Sequence, residues 1–393
     1  MSPQLAGLAR IPQQSLQLPN QNPIPINPLG YQNYYPGPQR GGRGRGNRGR
    51  GRGNRGNRGR GRGNRFSPYE HQNAPKRDED IARLTSELEK ERDERKKLEL
   101  ELDLTRLSVG NKATGKLLDS HFHWDRLNKV KRVTLEKLTS DQIMPTPKSE
   151  LSIEGGIMVF CDPKDFPNNE EIGYIKRSGK FGIAMGIHPN HSKGNLDKLE
   201  PSVQLIREQM ERGNLNGLGE VGLDFMKGGQ IKKQEQILEW ILPLAKPEIP
   251  LILHIRGIPE DSNNELAYNH ALQFLLSKQL NTNQTIQLHS FTGNNGTVKK
   301  WLQKFPNCYF SFSGLIQKFN QEQLIALKEV PSNRLLLETD SPYLPIRKEI
   351  KCNFPGYLGE TAQKAATIRN EPIGQLVANT WTNTNLIFFK HHV

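Results

Sequence analysis

The sequence predicts an α/β chain whose ordered part, residues 116–393, is a (β/α)8 TIM barrel. Two observations carry that expectation. From Lys116 onward, eight short β-rich runs alternate with helical stretches, the element order that a closed parallel sheet requires. Nearly every run also ends in His, Glu or Asp, and the C-terminal ends of the strands are where such barrels carry their sites. A doubly wound open sheet is the alternative, since strand number alone does not prove closure. A third observation, the placement of charge, sets the N-terminal region apart.

The chain has 393 residues and a net charge of +14. Residues 1–65 hold twelve arginines and neither lysine nor acid, while the remainder carries 43 basic against 41 acidic residues. Residues 1–75 are therefore read as disordered, with too little apolar content to offset chain entropy. Within them the tract 40–65 alternates Arg with Gly and Asn. Arg43, Arg45, Arg48, Arg50, Arg52, Arg55, Arg58, Arg60 and Arg62 are its candidate nucleic-acid contacts. Guanidinium groups pair with phosphates and stack on unpaired bases, and the glycines keep the backbone loose. A solubilising linker is the bland alternative.

Residues 76–110 switch to a charged helical pattern. Ile81, Leu84 and Leu88 fit a heptad seam, as do Leu98 and Leu102, but Glu91 and Arg95 interrupt it. The stretch is compatible with a homodimer through residues 78–107 or with a solvated single-helix spacer.

The barrel runs follow in order. The first, 117–121, leads into Asp119-Ser120-His121-Phe122-His123, and strand alternation puts the two histidines on one face. The second is 156–160. The third, 181–187, ends in His188. The fourth, 217–223, contains Glu220 and leads to Asp224. The fifth, 249–255, contains His254 and is followed by Arg256, two residues on and thus on the same face. The sixth, 285–289, ends in His289, the seventh is 308–313, and the eighth, 334–339, leads into Asp340 and then Tyr343. Helices are expected at 197–212, 230–246, 263–278, 297–304 and 320–329.

Each polar residue has an ordinary explanation taken alone: a satisfied core histidine, or an aspartate capping a turn. Their shared register with the strand ends argues for one mouth. Histidines and carboxylates gathered there suit a two-metal site in which a carboxylate bridges ions about 3.5–4 Å apart.

The same residues carry a family resemblance. Asp-Ser-His-Phe-His, Gly-Ile-His-Pro, Gly-Glu-Val-Gly-Leu-Asp-Phe, Leu-His-Ile-Arg, His-Ser-Phe-Thr-Gly and Leu-Glu-Thr-Asp-Ser-Pro-Tyr-Leu resemble, in order, the motifs of the TatD-like metal-dependent deoxyribonucleases. The resemblance runs from about Leu117 to the C-terminus and is greatest to animal members with long N-terminal extensions. It implies a barrel of the metallo-dependent hydrolase group acting on nucleic-acid phosphodiesters. It also implies His121, His123, Glu220, His254, His289 and Asp340 as ligands to two divalent ions, with Glu220 bridging. Glu220 and Asp340 are the catalytic candidates, because a ligated carboxylate stays ionised and Asp340 is placed to orient or deprotonate the attacking water. Magnesium, manganese and zinc all remain open. Asn190, Gly257 and Ser290 depart from the family pattern at positions that hold no ligand.

The expected function is a metal-dependent nuclease acting on DNA, RNA or both, tethered to its substrate by the basic arm. Arg256, His188, Asp224 and Tyr343 are the candidates for substrate contact or for orienting the ligands. A hydrolase of some other substrate, or a non-catalytic RNA-binding protein on a barrel scaffold, are the rival readings. Three scattered cysteines, Cys161, Cys308 and Cys352, fit buried thiols in a reducing compartment. With neither a secretory signal nor a long apolar run, the expectation is an intracellular protein of nucleus or cytoplasm without a membrane partner.

Overall fold

The computed structural model describes residues 83–87, 90, 91, 94, 115–139, 146–227 and 230–389. Its centre is one eight-stranded sheet: β1 Lys116–Phe122, β2 Ser152–Phe160, β3 Phe181–Met185, β4 Gly217–Asp224, β5 Leu251–Arg256, β6 Ile286–Leu288, β7 Cys308–Phe312 and β8 Leu335–Leu337. The strands lie in sequence order, and each pairs with the next in parallel. Past the end of β8 the chain returns to β1. The Asp340 N–H donates to the His121 carbonyl at 3.0 Å, and the His123 N–H donates to the Ser341 carbonyl at 2.8 Å. These bonds draw the last strand's exit against the first strand, giving the barrel the sequence predicts.

Strand alternation divides the apolar residues into two layers. Met158, Phe160, Ile183, Met185, Leu253, Phe310 and Phe312 belong to the large core shared with the surrounding helices. Their neighbours Ile157, Val159, Ala184, Ile252, Tyr309 and Leu336 form a second cluster with Ile387 and Phe388. Those last two belong to the terminal helix Ile373–Phe388. Asn216, just before β4, donates to the Phe388 carbonyl at 2.8 Å, so this helix plugs the N-terminal end of the barrel. The C-terminal end is left for polar side chains.

The helices are set by local chemistry. Asn169–Arg177 begins with a capping box: Asn168 accepts from the Glu170 and Glu171 N–H groups, and the Glu171 side chain accepts from the Asn168 N–H. Its buried Ile172 and Ile175 face the core. Three departures from the expected bounds have physical causes. β2 starts at Ser152, four residues before the expected Gly156; at Gly155 a Cβ would lie 1.9 Å from the Lys180 carbonyl, so glycine there permits close strand approach. The helix expected at 230–246 stops at Ile241 and gives way to a short 3-10 turn containing Pro243. β8 ends at Leu337 because the chain then leaves the ladder, reaching φ 53° at Asp340.

Within the charged stretch, residues 83–87, 90, 91 and 94 are helical. The heptad dimer and the Arg/Gly arm fall almost wholly outside the described residues. No helix among those described is long and apolar enough to cross a membrane.

Candidate metal centre

Glu220 occupies the middle of this mouth and is 2% exposed. The glycines around it in β4 explain how a carboxylate reaches that place. Gly222 sits opposite His254 in the ladder with φ 146°, and a Cβ on it would lie 2.0 Å from the His254 carbonyl. Only glycine tolerates both that dihedral and that approach. β4 therefore presses against β5 and brings Glu220 beside His254.

The two Glu220 oxygens face different sets of histidines. Oε2 lies 3.6 Å from Nε2 of His121 and 3.6 Å from Nε2 of His123. Oε1 lies 2.6 Å from Nδ1 of His254, 3.6 Å from Nε2 of His188 and 3.8 Å from Nε2 of His289. Asp340 Oδ1 completes the ring, 3.4 Å from His123, 3.9 Å from His121 and 3.9 Å from His289. Every expected ligand is thus brought together, from β1, β4, β5 and the chain just past β1, β6 and β8.

Apart from the His254–Glu220 contact at 2.6 Å, which is a direct hydrogen bond, these distances suit ions better than direct bonds. Most exceed hydrogen-bond range. Two ligands each about 2.0–2.2 Å from a first-row ion stand within about 4.4 Å of one another. His121 supplies a second indication: it is fully buried, yet neither ring nitrogen has a hydrogen-bond partner. Buried polar atoms left so are costly, and a cation between His121 and the carboxylates would satisfy it.

The remaining ring nitrogens fix orientation. His123 Nδ1 lies 2.8 Å from the Val159 carbonyl, so the neutral ring carries its proton there and leaves Nε2 with its lone pair facing the mouth. His289 Nδ1 stands 2.8 Å from Glu338 Oε1. His188 is different: its Nδ1 accepts the Asn190 N–H at 3.0 Å, so the neutral ring bears its proton on Nε2, toward Glu220. That tautomer makes His188 a donor rather than a ligand.

Burial and neighbouring charge shift these groups in different directions. Burial pushes His121 and His188 down. Burial alone would raise Glu220 and Asp340. His289 leads the opposing attractions, joined by His188 at Glu220 and by His123 at Asp340, and both carboxyls are held below their ordinary range. For His289, burial is outweighed by Glu338, Asp340 and Glu220, which lift the ring to about 10.

Of the residues expected to touch substrate, Asp224 and Arg256 are engaged with each other. Arg256 Nε donates to Asp224 Oδ1 at 3.1 Å, and Nη2 pairs with Oδ2. His254 Nε2 lies 3.9 Å from the same carboxylate. Tyr343 packs edge-on to His123 with ring centroids 6.1 Å apart. Three residues at the mouth escaped the sequence reading. Cys161 follows β2, with Sγ 3.5 Å from Glu220 Oε2. Glu338 is fully buried behind His289. Arg126 lies on the helix Trp124–Lys131, with Nη2 3.1 Å from Cys161 Sγ. Glu338 had a usable signal, two positions before Asp340 and hence on its face if the strand continued. Cys161 and Arg126 had none.

Residues 118–389 match the TatD related DNase family. An uncharacterized metal-dependent hydrolase of Buchnera aphidicola is 29% identical over 280 residues, 69% of this chain and 98% of that protein. The human 3'-5' RNA nuclease TATDN2 is 26% identical over 281 residues, again 69% of this chain but 35% of the relative. Among solved structures, the TatD homologue YJJV of Escherichia coli aligns with a TM-score of 0.56 at 21% identity, covering 69% of this chain and 97% of that one. The last likeness speaks for the fold, and the match over 118–389 speaks for descent. The chain belongs to the TatD related DNase family, and with it to the metal-dependent hydrolases that act on ester bonds.

Proposed function

We propose that this chain is a nuclease that hydrolyses nucleic-acid phosphodiester bonds at two divalent ions, magnesium, manganese or zinc, with its Arg-rich arm tethering the DNA or RNA strand. The observation that supports this most is Glu220, whose two oxygens face separate groups of histidines, as a bridging carboxylate must. His121, His123, His254, His289 and Asp340 are the other ligands. Bound there, divalent ions lower the pKa of water and neutralise charge building on the phosphoryl oxygens.

The chain's own groups do the rest. Asp340, held ionised, accepts the proton lost as water attacks phosphorus, while the departing nucleoside oxygen takes a proton from solvent. His188, with Nε2–H toward the mouth, and Tyr343 flank the phosphate. Asp224 and Arg256 brace β4 against β5 beside His254. The human relative named as an RNA nuclease supports a nucleic acid as substrate. The arm supports it further, because a small-molecule hydrolase has no use for a sequence-independent phosphate binder.

The test is to incubate the full chain with end-labelled single- and double-stranded DNA and RNA, with and without Mg²⁺ or Mn²⁺, and to size the products. Shortened strands only with metal are expected. Intact strands on all four substrates with metal bound would discard the nuclease reading.

A further inference from the structure

We propose that Arg126, held by Cys161 and Tyr343, is the phosphate clamp of this mouth, its guanidinium taking the non-bridging oxygens of the phosphodiester bound beside Glu220. The inference rests on the nuclease reading and names the group that grips the substrate.

Position comes first. Arg126 lies three residues past His123 on Trp124–Lys131, the helix that leaves the end of β1. Its Nη2 lies 3.1 Å from Cys161 Sγ, and that sulfur lies 3.5 Å from Glu220 Oε2. One sulfur atom therefore separates the guanidinium from the carboxylate around which the ligands converge. On the other side its Cζ stands 5.4 Å from the centroid of the Tyr343 ring, and that ring packs against His123.

The second point is what Arg126 lacks. Among the described residues it makes no salt bridge, although it is half-buried. Asp125, Glu220 and Cys161 act on it only through longer-range attraction or a weak contact. The other arginine at the mouth, Arg256, is already forked onto Asp224. A guanidinium carries five N–H donors in a planar fork, whereas a thiol is a weak acceptor and a ring face offers only its quadrupole. A half-buried cation with so few strong acceptors is poised for an anion. A phosphodiester presents two non-bridging oxygens whose spacing suits the fork. Cys161 and Tyr343 fix the rotamer without neutralising the charge, which keeps it available to the substrate.

The test uses the full chain loaded with Mn²⁺. Inorganic phosphate binding is measured by calorimetry, and KM and kcat on a short labelled oligonucleotide, for wild type, Arg126→Gln and Arg126→Lys. Arg126→Gln is expected to weaken phosphate binding and raise KM by about tenfold or more, the scale of a lost pair of charge-assisted hydrogen bonds, with metal content unchanged. Arg126→Lys should recover part of the loss, because it restores the charge without the fork. Phosphate affinity and KM in Arg126→Gln close to wild type would overturn the clamp. So would loss of metal from that variant, which would make Arg126 a prop for the ligands. If Arg126→Gln does not fold, Arg126→Lys decides: wild-type phosphate affinity overturns the clamp, and a severalfold loss supports it. A wild-type chain that binds phosphate but cleaves no nucleic acid removes the nuclease reading alone, leaving the phosphate comparison to judge the clamp. A wild type that cleaves while Arg126→Gln binds phosphate normally removes the clamp alone.

Discussion

Glu338 Oε1 stands 2.8 Å from Nδ1 of His289, and the same oxygen accepts the Ser290 N–H at 2.7 Å. Its other oxygen accepts from Gln287 at 3.2 Å. A buried carboxylate behind a ligating imidazole fixes the ring and its tautomer and raises its basicity. Glu338→Gln keeps the volume but removes the charge. Metal affinity, read by titration into the chelator-stripped chain, should fall by about 10- to 100-fold. Unchanged affinity would leave Glu338 with a packing role only.

Asp340→Asn separates holding an ion from accepting a proton. The amide keeps an oxygen toward His123 but cannot serve as the base. Single-turnover cleavage should slow by about 10²-fold or more while part of the metal remains bound. Full activity in this variant would move the base elsewhere.

The gathering of the six proposed ligands was legible because residues along the C-terminal half of a barrel strand, or just past its end, face the mouth. His121, His123, Glu220, His254, His289 and Asp340 all follow this pattern. What was not legible depends on distance across the barrel. Arg256 lies on the expected face, but no pattern in its own strand says that Asp224 of β4 would claim it. Arg126 sits on a helix, where strand register gives no guidance, and its place beside Cys161 exists only once β1 and β2 are paired. β2 itself was read four residues short of its start at Ser152; Gly155, outside the expected run, lies in the strand and lets the chain at Lys180 approach closely.

Gly222→Ala tests that reading of the glycines. The new Cβ meets the His254 carbonyl and the backbone holds φ at 146°. Denaturant unfolding should show a loss of about 2 kcal/mol or more, from strain that neighbouring strand backbone cannot relieve. A change within error would mean that β4 and β5 can part at no cost.

Asp162 and His191 pair at the loop after β2, Oδ1 to Nε2 at 2.9 Å. The bond from His191 leads in holding Asp162 down to about 2. A carboxyl depressed in the folded state stabilises above its ordinary pKa, and that contribution fades as pH falls from about 4 toward 2. Both groups are partly exposed, so Asp162→Asn should cost less than about 1 kcal/mol at pH 5, with the gap closing near pH 2.5. Chemical denaturation at the two pH values measures it; a gap that widens toward acid would reverse the sign argued here.

Deleting residues 1–108 removes most of the net positive charge and no candidate ligand. The shortened chain should cleave a short oligonucleotide at near-normal kcat but bind long single strands less tightly. Its plot of log K against log salt should flatten by about 0.7 for each lost phosphate contact. Equal slopes for the two chains would make the arm a passive linker.

Hydrolysis of nucleic acid is proposed to require divalent ions held around Glu220. The most direct measurement titrates divalent metal into the chelator-stripped full chain while following cleavage of a labelled single strand. No cleavage is expected without metal, and the rate should rise to a plateau near two ions per chain. An undiminished rate in excess chelator, with elemental analysis confirming a metal-free chain, would contradict it.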